Sequence, residues 1–357
     1  MIKISVVIPI FNMEKYIKQC LVSILSQSLK EIELVCVDDG SKDSSAKILK
    51  AYAKNDERIK IISQKNQGVG IARNNGIRSA YGKYIAFMDP DDYYLDEKVL
   101  ADMYEAAEEN QVLICGGSLC EEHNNGKWFR KKFRGSFSNY VFHKAQYVAY
   151  EQYQYDYGFY RFIYNREFLI ENNIFFPPYI RFQDPPFFVR AMICAGGFYA
   201  LPRITYCYRC GHQNFKWDEK RICAVLSGFI DILDMSREAG LPELHRLTLE
   251  RMLFEFRDEI IMGLDDSESE VLHLLLKANK CIKTEYVADD SDYKNGVMPL
   301  IAEWKRKTSK HKKNRNNKLD DSRNSRRSIG RRIYKRIKST PRKIRRYIRN
   351  KSDPKQF

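Results

Sequence analysis

The sequence predicts an α/β protein with a mostly parallel, doubly wound sheet flanked by helices, followed by a helical C-terminal extension and a basic tail. Three observations lead to this prediction. Strand and helix patterns alternate over the first hundred residues, apolar residues recur at helical spacing after residue 218, and positive charge collects at the C-terminal end. Alternating strands and helices are typical of parallel sheets with helices on both faces.

The strand and helix patterns support each element in order. Residues Ile4 to Ile10 form an apolar, β-branched run typical of a buried strand. Three more strands are predicted, at 32–37, 59–62 and 84–88. Three helices are predicted between the strands, at 13–27, 44–54 and 70–80. Ligands of such sheets bind at the carboxyl ends of the strands.

The pattern changes in the second half of the chain. Nine aromatic residues lie between Tyr147 and Tyr164, more than a solvated loop would carry. They predict either a secondary core or a platform on which ligands stack. Helices follow at 222–235 and 247–262. The predicted units are two halves of the α/β domain, the helical extension and the basic linker with its tail: 1–110, 111–217, 218–304 and 305–357.

The net charge of +15 comes from the tail. Residues 305–357 hold 23 Lys and Arg against 3 Asp and Glu, so the remainder of the chain carries a net charge of −5. No apolar run reaches the ~18 residues that a membrane-spanning helix needs. The nine cysteines are odd in number and lack regular spacing, which fits a reducing compartment. We therefore expect a cytoplasmic protein.

Acidic residues follow two of the predicted strands. The second strand ends in Asp38 and Asp39, where a carboxylate either binds a ligand or serves the turn and the next helix. The fourth ends in Asp89, Asp91 and Asp92. Three carboxylates so close repel one another unless a cation lies among them, which predicts a divalent ion with oxygen ligands, Mg²⁺ or Mn²⁺. A charged turn before a helix is the alternative.

Two further segments carry candidate functional residues. The glycine-bearing loop Asn66 to Asn74 is similar in part to the Rossmann dehydrogenase fingerprint, but Arg73 stands at its third glycine position. A guanidinium there would contact a base, a ribose or a pyrophosphate. Asp184 lies among apolar residues and precedes two prolines. A carboxylate in such surroundings is paired or acts as a general base, unless it caps a helix.

Together these motifs resemble those of the family 2 glycosyltransferases, the inverting group with a GT-A fold. The resemblance rests on Val6 to Asn12, Val37 to Ser41, Asn66 to Asn74 and Asp89 to Asp92, which occur in the family's order and spacing. It continues more loosely to about residue 212, where the chain is similar to bacterial enzymes that build capsular, exopolysaccharide or other cell-surface glycans. The fold implied is GT-A, with a Rossmann-like sheet.

The resemblance implies a nucleotide site and a metal site. The implied nucleotide-binding residues are Pro9, Phe11, Asn12, Asp39, Asn66, Arg73 and Asp89. Phe11 would stack on the uracil, and Asp39 would bind its polar edge. Asp91, together with Asp89, would hold Mn²⁺ or Mg²⁺ against the two phosphates of a UDP-sugar.

The resemblance also implies a general base. Asp184 would take the proton of the acceptor hydroxyl as it attacks the sugar, while Gln183 and Asp92 would contact the acceptor or phosphate. Many family members carry Glu-Asp at this position, whereas this chain has Gln183-Asp184. We interpret the aspartate as the base and the glutamine as its neutral neighbour.

The expected function is transfer of a single sugar from a UDP-sugar to a lipid-linked or growing cell-surface glycan. Processive polymerases of the family usually carry membrane helices and a Gln-x-x-Arg-Trp element, and this chain shows neither. Two alternatives stay open. One is a protein that keeps the nucleotide-sugar pocket without transferase activity, and the other is a sugar nucleotidyltransferase.

The tail predicts a membrane partner. Within residues 326–349, apolar residues recur four positions apart from Ile329 to Ile337 and resume from Ile344 to Ile348, among many Arg and Lys. Cationic amphipathic helices of this kind lie on anionic membrane surfaces. We expect a peripheral protein on the inner face of the cell membrane, where a polyprenyl-linked acceptor would be found. Basic clusters also bind nucleic acid, but the body carries no recognisable nucleic-acid module, so no specific nucleic acid is expected.

Overall fold

The structure, a computed structural model, describes residues 1–122, 128–130, 141–211, 216–264, 269–287 and 293–309. Residues Met1–Met298 form one compact unit. The described part of a second unit, residues 299–309, is helical. The amphipathic helices predicted within 326–349 lie outside the described residues.

The first half of the chain alternates strands and helices as predicted. Its elements are β1 (Ile4–Ile10), α1 (Ile17–Leu25), β2 (Ile32–Asp38), α2 (Ser45–Ala53), β3 (Ile59–Ser63), α3 (Val69–Ser79), β4 (Tyr84–Phe87) and α4 (Val99–Glu109). Every residue of β1 and β2 is buried. A parallel strand covered by helices on both faces has no solvent side, which explains the apolar composition of these strands.

The second half completes the sheet and adds the extension. Its strands are β5 (Ile114–Glu122), β6 (Trp128–Arg130), β7 (Gln146–Ala149), β8 (Phe162–Asn165) and β9 (Gly197–Arg209). Its helices are α5 (Tyr150–Tyr153), α6 (Arg166–Glu171), α7 (Asp184–Ala195), α8 (Glu219–Glu238), α9 (Pro242–Glu250), α10 (Arg257–Gly263) and α11 (Glu270–Cys281). No helix in the described ranges is long and apolar enough to cross a membrane.

The nine strands within the described residues form one mostly parallel sheet, which confirms the predicted fold class. Their order is β3-β2-β1-β4-β8-β5-β9-β7, with β6 paired to β5. Strands β1 to β4 are parallel to one another, and β8 lies antiparallel between β4 and β5. Because β9 is parallel to β5, its carboxyl end lies at the same edge of the sheet as those of β1, β2 and β4.

Most of the aromatic run is core. The rings of Tyr150, Phe159, Phe162 and Tyr164 are buried, whereas Tyr147 is exposed. Phe159 lies 5.6 Å from Phe87 between ring centroids, so the run packs against the end of β4. The secondary core predicted as one of two alternatives is therefore present.

The single helix predicted at 247–262 is wrong. The structure ends α9 at Glu250 and inserts a π-helical turn, Arg251–Glu255, before α10. The N–H of Phe256 donates to the carbonyl of Arg251 at 2.9 Å, the five-residue spacing of a π turn. This spacing places Arg251 and Phe256 on one side, where both contact the ring of Phe182.

A buried histidine joins three parts of the extension. His245 of α9 lies 2.8 Å from Ser236 Oγ of α8 through Nδ1, and its Nε2 accepts the Lys283 N–H at 2.9 Å. Since Nε2 accepts, Nδ1 carries the proton and donates to the serine. Burial lowers the pKa of His245 to about 4, because the charged imidazolium would lose its hydration.

Candidate active site

The loop after β1 contacts the loop after β2. Asn12, with a left-handed φ of 55°, donates its backbone N–H to Ser41 Oγ at 3.1 Å. Its Oδ1 accepts the Lys42 N–H at 2.8 Å. Pro9 is buried in β1, whereas Phe11 keeps 40% of its surface exposed. Of these residues, Phe11 therefore presents a ring on which a base could stack.

Asp39 is buried and fixes the loop that leads into α3. Its Oδ1 accepts from Gln64 Nε2 and from the Gln67 N–H, both at 2.8 Å. Its Oδ2 accepts the Gly68 N–H at 2.9 Å. Three bonds to one carboxylate hold the chain at the start of the helix. The predicted contact of Asp39 with a uracil stays a prediction.

Gly40 lets the ends of β2 and β3 approach each other. Its φ is 77°, and a Cβ there would lie 3.1 Å from the backbone nitrogen of Asn66. A side chain would be strained in this conformation and would also crowd the neighbouring loop. The exposed side chain of Asn66 therefore belongs to the same sheet edge as Asp39.

Arg73 of α3 lies buried between two rings and an acid. Its Nη2 is 2.5 Å from Asp89 Oδ1, and its guanidinium carbon is 4.7 Å and 5.2 Å from the ring centroids of Phe159 and Phe176. Its Nε and Nη1 have no hydrogen-bond partner within the described part of the chain. The structure thus places the Arg73 charge beside the acidic turn, and its contact with a nucleotide stays a prediction.

Residues 89–92, the acidic turn that follows β4, are held in place by hydrogen bonds from the end of β9. Tyr206 donates its hydroxyl to Asp92 Oδ2 at 2.6 Å, and the Arg209 N–H donates to Asp92 Oδ1 at 2.8 Å. Arg209 Nε also donates to the Asp91 carbonyl at 2.8 Å, and the Asp89 N–H donates to Tyr206 Oη at 3.1 Å. Both oxygens of Asp92 therefore accept bonds from β9. The predicted contact of Asp92 with phosphate or acceptor stays a prediction.

The carboxyl groups of this turn lie in surroundings that favour a cation. Burial raises the pKa of Asp89. The charge of Arg73 lowers this pKa, whereas the charge of Asp91 raises it further. Burial, Asp91 and Asp89 raise the pKa of Asp92 well above its usual range. Among the described residues, no group of three His, Cys, Asp or Glu is arranged as a metal site. The carboxylates of Asp89 and Asp91 nevertheless fit Mg²⁺ or Mn²⁺, since such ions often take one or two carboxylates and complete their shell with phosphate and water.

Asp184 is the first residue of α7 and is half-buried. Pro185 and Pro186 follow it in the first turn, where a missing N–H leaves no helical bond unmade. Burial raises the pKa of Asp184, and the charge of Arg73 opposes the increase. Gln183 is buried against α3, where a Cβ on Gly70 would lie 3.2 Å from its Cγ. A carboxylate of raised pKa on a fixed helix end has the chemistry of a general base.

Sequence reasoning missed Tyr206 and Arg209. Besides the acidic turn, Arg209 donates from Nη2 to Gln19 Oε1 at 2.7 Å and lies 3.3 Å from Glu122 through Nη1. It therefore joins α1, β5 and the turn after β4. Residues 205–209 form the end of β9, but their place beside β5 depends on the sheet order, which no local pattern reveals.

The chain matches a family model and several curated relatives. Residues 5–172 match the model of glycosyl transferase family 2. An uncharacterized glycosyltransferase of Bacillus subtilis, EpsJ, is 34% identical over 211 residues, 58% of this chain and 60% of that protein. The glycosyltransferase GlyA of Streptococcus pneumoniae is 40% identical over 116 residues, 32% of this chain and 16% of that protein. This chain thus spans 60% or less of the length of these two relatives.

Solved structures share the fold. S. aureus TarS 1–349 in complex with UDP-GlcNAc has a TM-score of 0.65 at 22% identity, covering 80% of this chain and 83% of that one. The mannosyltransferase PcManGT of Pyrobaculum calidifontis, in complex with GDP-Man and Mn²⁺, has a TM-score of 0.52 at 16% identity, covering 84% and 85%. At such identities the likeness shows the fold alone, which is the GT-A fold that the sequence predicts.

Proposed function

We propose that the protein is an inverting glycosyltransferase, since its residues 5–172 match the model of glycosyl transferase family 2. It transfers a single sugar from a UDP-sugar to a lipid-linked or growing cell-surface glycan. The observation that carries the proposal is the meeting of Asp89 and Arg73 at the end of β4, with Asp184 close enough for both charges to act on its carboxyl group. A site that binds a diphosphate and a cation, and that also contains a general base, requires charged groups of both signs close together.

The donor lies along the ends of β1, β2 and β3. Phe11 presents an exposed ring for the uracil, and the exposed Asn66 lies beside Gly40 at the same edge. The choice of UDP is supported by TarS, which has the same fold and whose structures were solved with UDP and UDP-GlcNAc. The GDP-Man complex of PcManGT makes GDP the nucleotide to compare against.

A divalent cation would be held by Asp91 and Asp89. When bound, it supplies Lewis-acid stabilisation of the negative charge on the departing diphosphate. Asp92 has a different task, because Tyr206 and the Arg209 N–H occupy its oxygens and hold the turn in place. Arg73 holds Asp89 from the side of α3.

Asp184 accepts the proton of the acceptor hydroxyl. The hydroxyl oxygen then attacks the anomeric carbon from the face opposite UDP, so the configuration inverts and UDP leaves. Its raised pKa makes the Asp184 carboxylate a stronger proton acceptor than an exposed aspartate, while Arg73 favours the ionised form that a base requires. Gln183 is buried beside it and carries no charge that would compete for the proton.

The experiment is a screen of UDP-sugars by UDP release, with Asp184→Asn as the key variant. Loss of a general base lowers rates by about 10² to 10⁴, so Asp184→Asn should lose turnover and keep UDP affinity. Asp258→Asn, an exposed acid of α10, is the matched control and should behave as wild type. Equal loss of UDP binding and turnover in Asp184→Asn would instead make Asp184 structural.

We also propose that the segment 326–349 holds the protein on an anionic membrane surface. The proposal rests on its charge and on the spacing of its isoleucines. Flotation with anionic vesicles, compared between the full chain and a chain lacking 305–357, tests it. Equal flotation of the two chains would refute it, and neutral vesicles serve as the control.

A further inference from the structure

Arg251 is a buried arginine of the helical extension, only 7% exposed. It lies on the π-helical turn and forms a salt bridge through Nη1 with Asp156 Oδ2. Its Nε donates to Glu255 Oε2 at 2.7 Å. Its guanidinium carbon lies 4.9 Å from the ring centroid of Phe182. Arg251 thus contacts two loops of the GT-A domain from outside the segment that the family model matches.

The first of these loops contains Phe182 and leads into Asp184 at the start of α7. Phe182 has a left-handed φ of 63°, a conformation that is strained for a bulky side chain and persists only where the surroundings enforce it. Its ring lies 4.6 Å from Phe229 and 5.6 Å from Phe256, centroid to centroid. A Cβ on Gly228 would lie 2.6 Å from the Phe182 ring, so α8 passes directly over it.

The second loop carries Tyr157. Its neighbour Asp156 is fully buried against Arg251, and burial raises the pKa of the Asp156 carboxyl despite that cation. Tyr157 accepts a hydrogen bond from the Tyr160 hydroxyl at 2.8 Å, and burial raises the Tyr157 pKa, with the charge of Asp184 adding to the increase. The Arg251–Asp156 salt bridge therefore fixes the loop from which Tyr157 contacts Tyr160.

We infer that Arg251 is a positioning residue for sugar transfer, which fixes the Phe182 and Asp156 loops and thereby holds Asp184 in place at the start of α7. The inference rests on the proposed function, since it assigns Asp184 as the base. Arg251 itself does not touch the substrate. A planar guanidinium suits this task, because it covers an aromatic face and pairs with a carboxylate at the same time. The helical extension is then part of the catalytic unit.

The kinetic test compares Arg251→Met, Asp156→Asn and the two combined, in the full chain. A misplacement of about 1 Å lowers rates by about 10²-fold, so Arg251→Met should lose tenfold or more in kcat for UDP release and bind UDP within twofold of wild type. The combined variant removes both buried charges, so it should regain the wild-type melting temperature and still turn over slowly. Arg246→Met, whose salt bridges lie on the half-exposed side of α9, is the control.

Turnover that follows the melting temperature across these variants would overturn the inference, because it would make Arg251 merely structural. A second readout needs no activity. Amide hydrogen exchange in residues 176–190 should be faster in the combined variant than in wild type, while 59–80 should be unchanged. Unchanged exchange in 176–190 overturns the inference as well. A wild-type protein that releases no UDP would instead refute the proposed function, and the exchange result would still decide the role of Arg251.

Discussion

The variant Asp92→Ala tests whether Asp92 anchors the acidic turn or is free to contact a ligand. The substitution leaves two buried donors, the Tyr206 hydroxyl and the Arg209 N–H, without their acceptor. Each such donor costs about 1 to 3 kcal/mol. Relief of repulsion from Asp91 and Asp89 offsets part of this loss. We therefore expect the free energy of unfolding to fall by about 2 to 4 kcal/mol.

The assay is urea unfolding of the ligand-free protein at pH 7, with Asp91→Ala as the matched control. Asp91 is also buried, one position away, and its removal relieves repulsion from Asp92, so we expect a smaller loss of stability than in Asp92→Ala. Asp91→Ala should still abolish the Mn²⁺ dependence of UDP binding. Equal stability of Asp92→Ala and wild type would refute the anchoring role and leave Asp92 available for a ligand.

Three further predictions concern protonation and charge. UDP release should decline on the acid side as Asp184 is protonated, and Arg181→Gln should move this decline to higher pH, because it removes a cation that lowers the Asp184 pKa; an unmoved limb would contradict the assignment. Asp91→Asn should remove the stimulation of UDP binding by Mn²⁺, and titration calorimetry that finds the stimulation intact would refute its metal role. His245 is neutral when buried, so stability should be lost as the pH falls from 6.5 towards 4, by about 3 kcal/mol. His245→Gln should flatten this dependence in urea unfolding, whereas exposed His273→Gln should not.

Local sequence patterns predict the elements whose surroundings are simple. The four strands and three helices of residues 4–80 and 84–87 were predictable because a buried parallel strand and an amphipathic helix each have a period of their own. The bounds differ most at α1, which begins at Ile17 rather than at residue 13. There Met13 accepts the N–H groups of Tyr16 and Ile17 in a turn before the helix.

Residues whose role depends on distant partners could not be predicted in the same way. Arg251 of the π turn pairs with Asp156, which lies 95 positions earlier in the chain. Arg209 reaches the acidic turn only because β9 lies beside β5 in the sheet. Asp39 was predictable as a polar strand end, but its three bonds to the loop before α3 appear only once β2 and β3 are paired.

We propose that the sheet edge formed by the carboxyl ends of β1, β2 and β4 binds a UDP-sugar together with a divalent cation. The most direct test is the melting temperature of the full chain with UDP, GDP, CDP, ADP or NAD⁺, each with and without Mn²⁺. A ligand at 100 times its Kd adds about 2.7 kcal/mol of stability. We predict stabilisation by UDP that increases with Mn²⁺ and exceeds that of the other nucleotides. Stabilisation by NAD⁺ alone, or by none of the five nucleotides, would contradict the proposed UDP-sugar site.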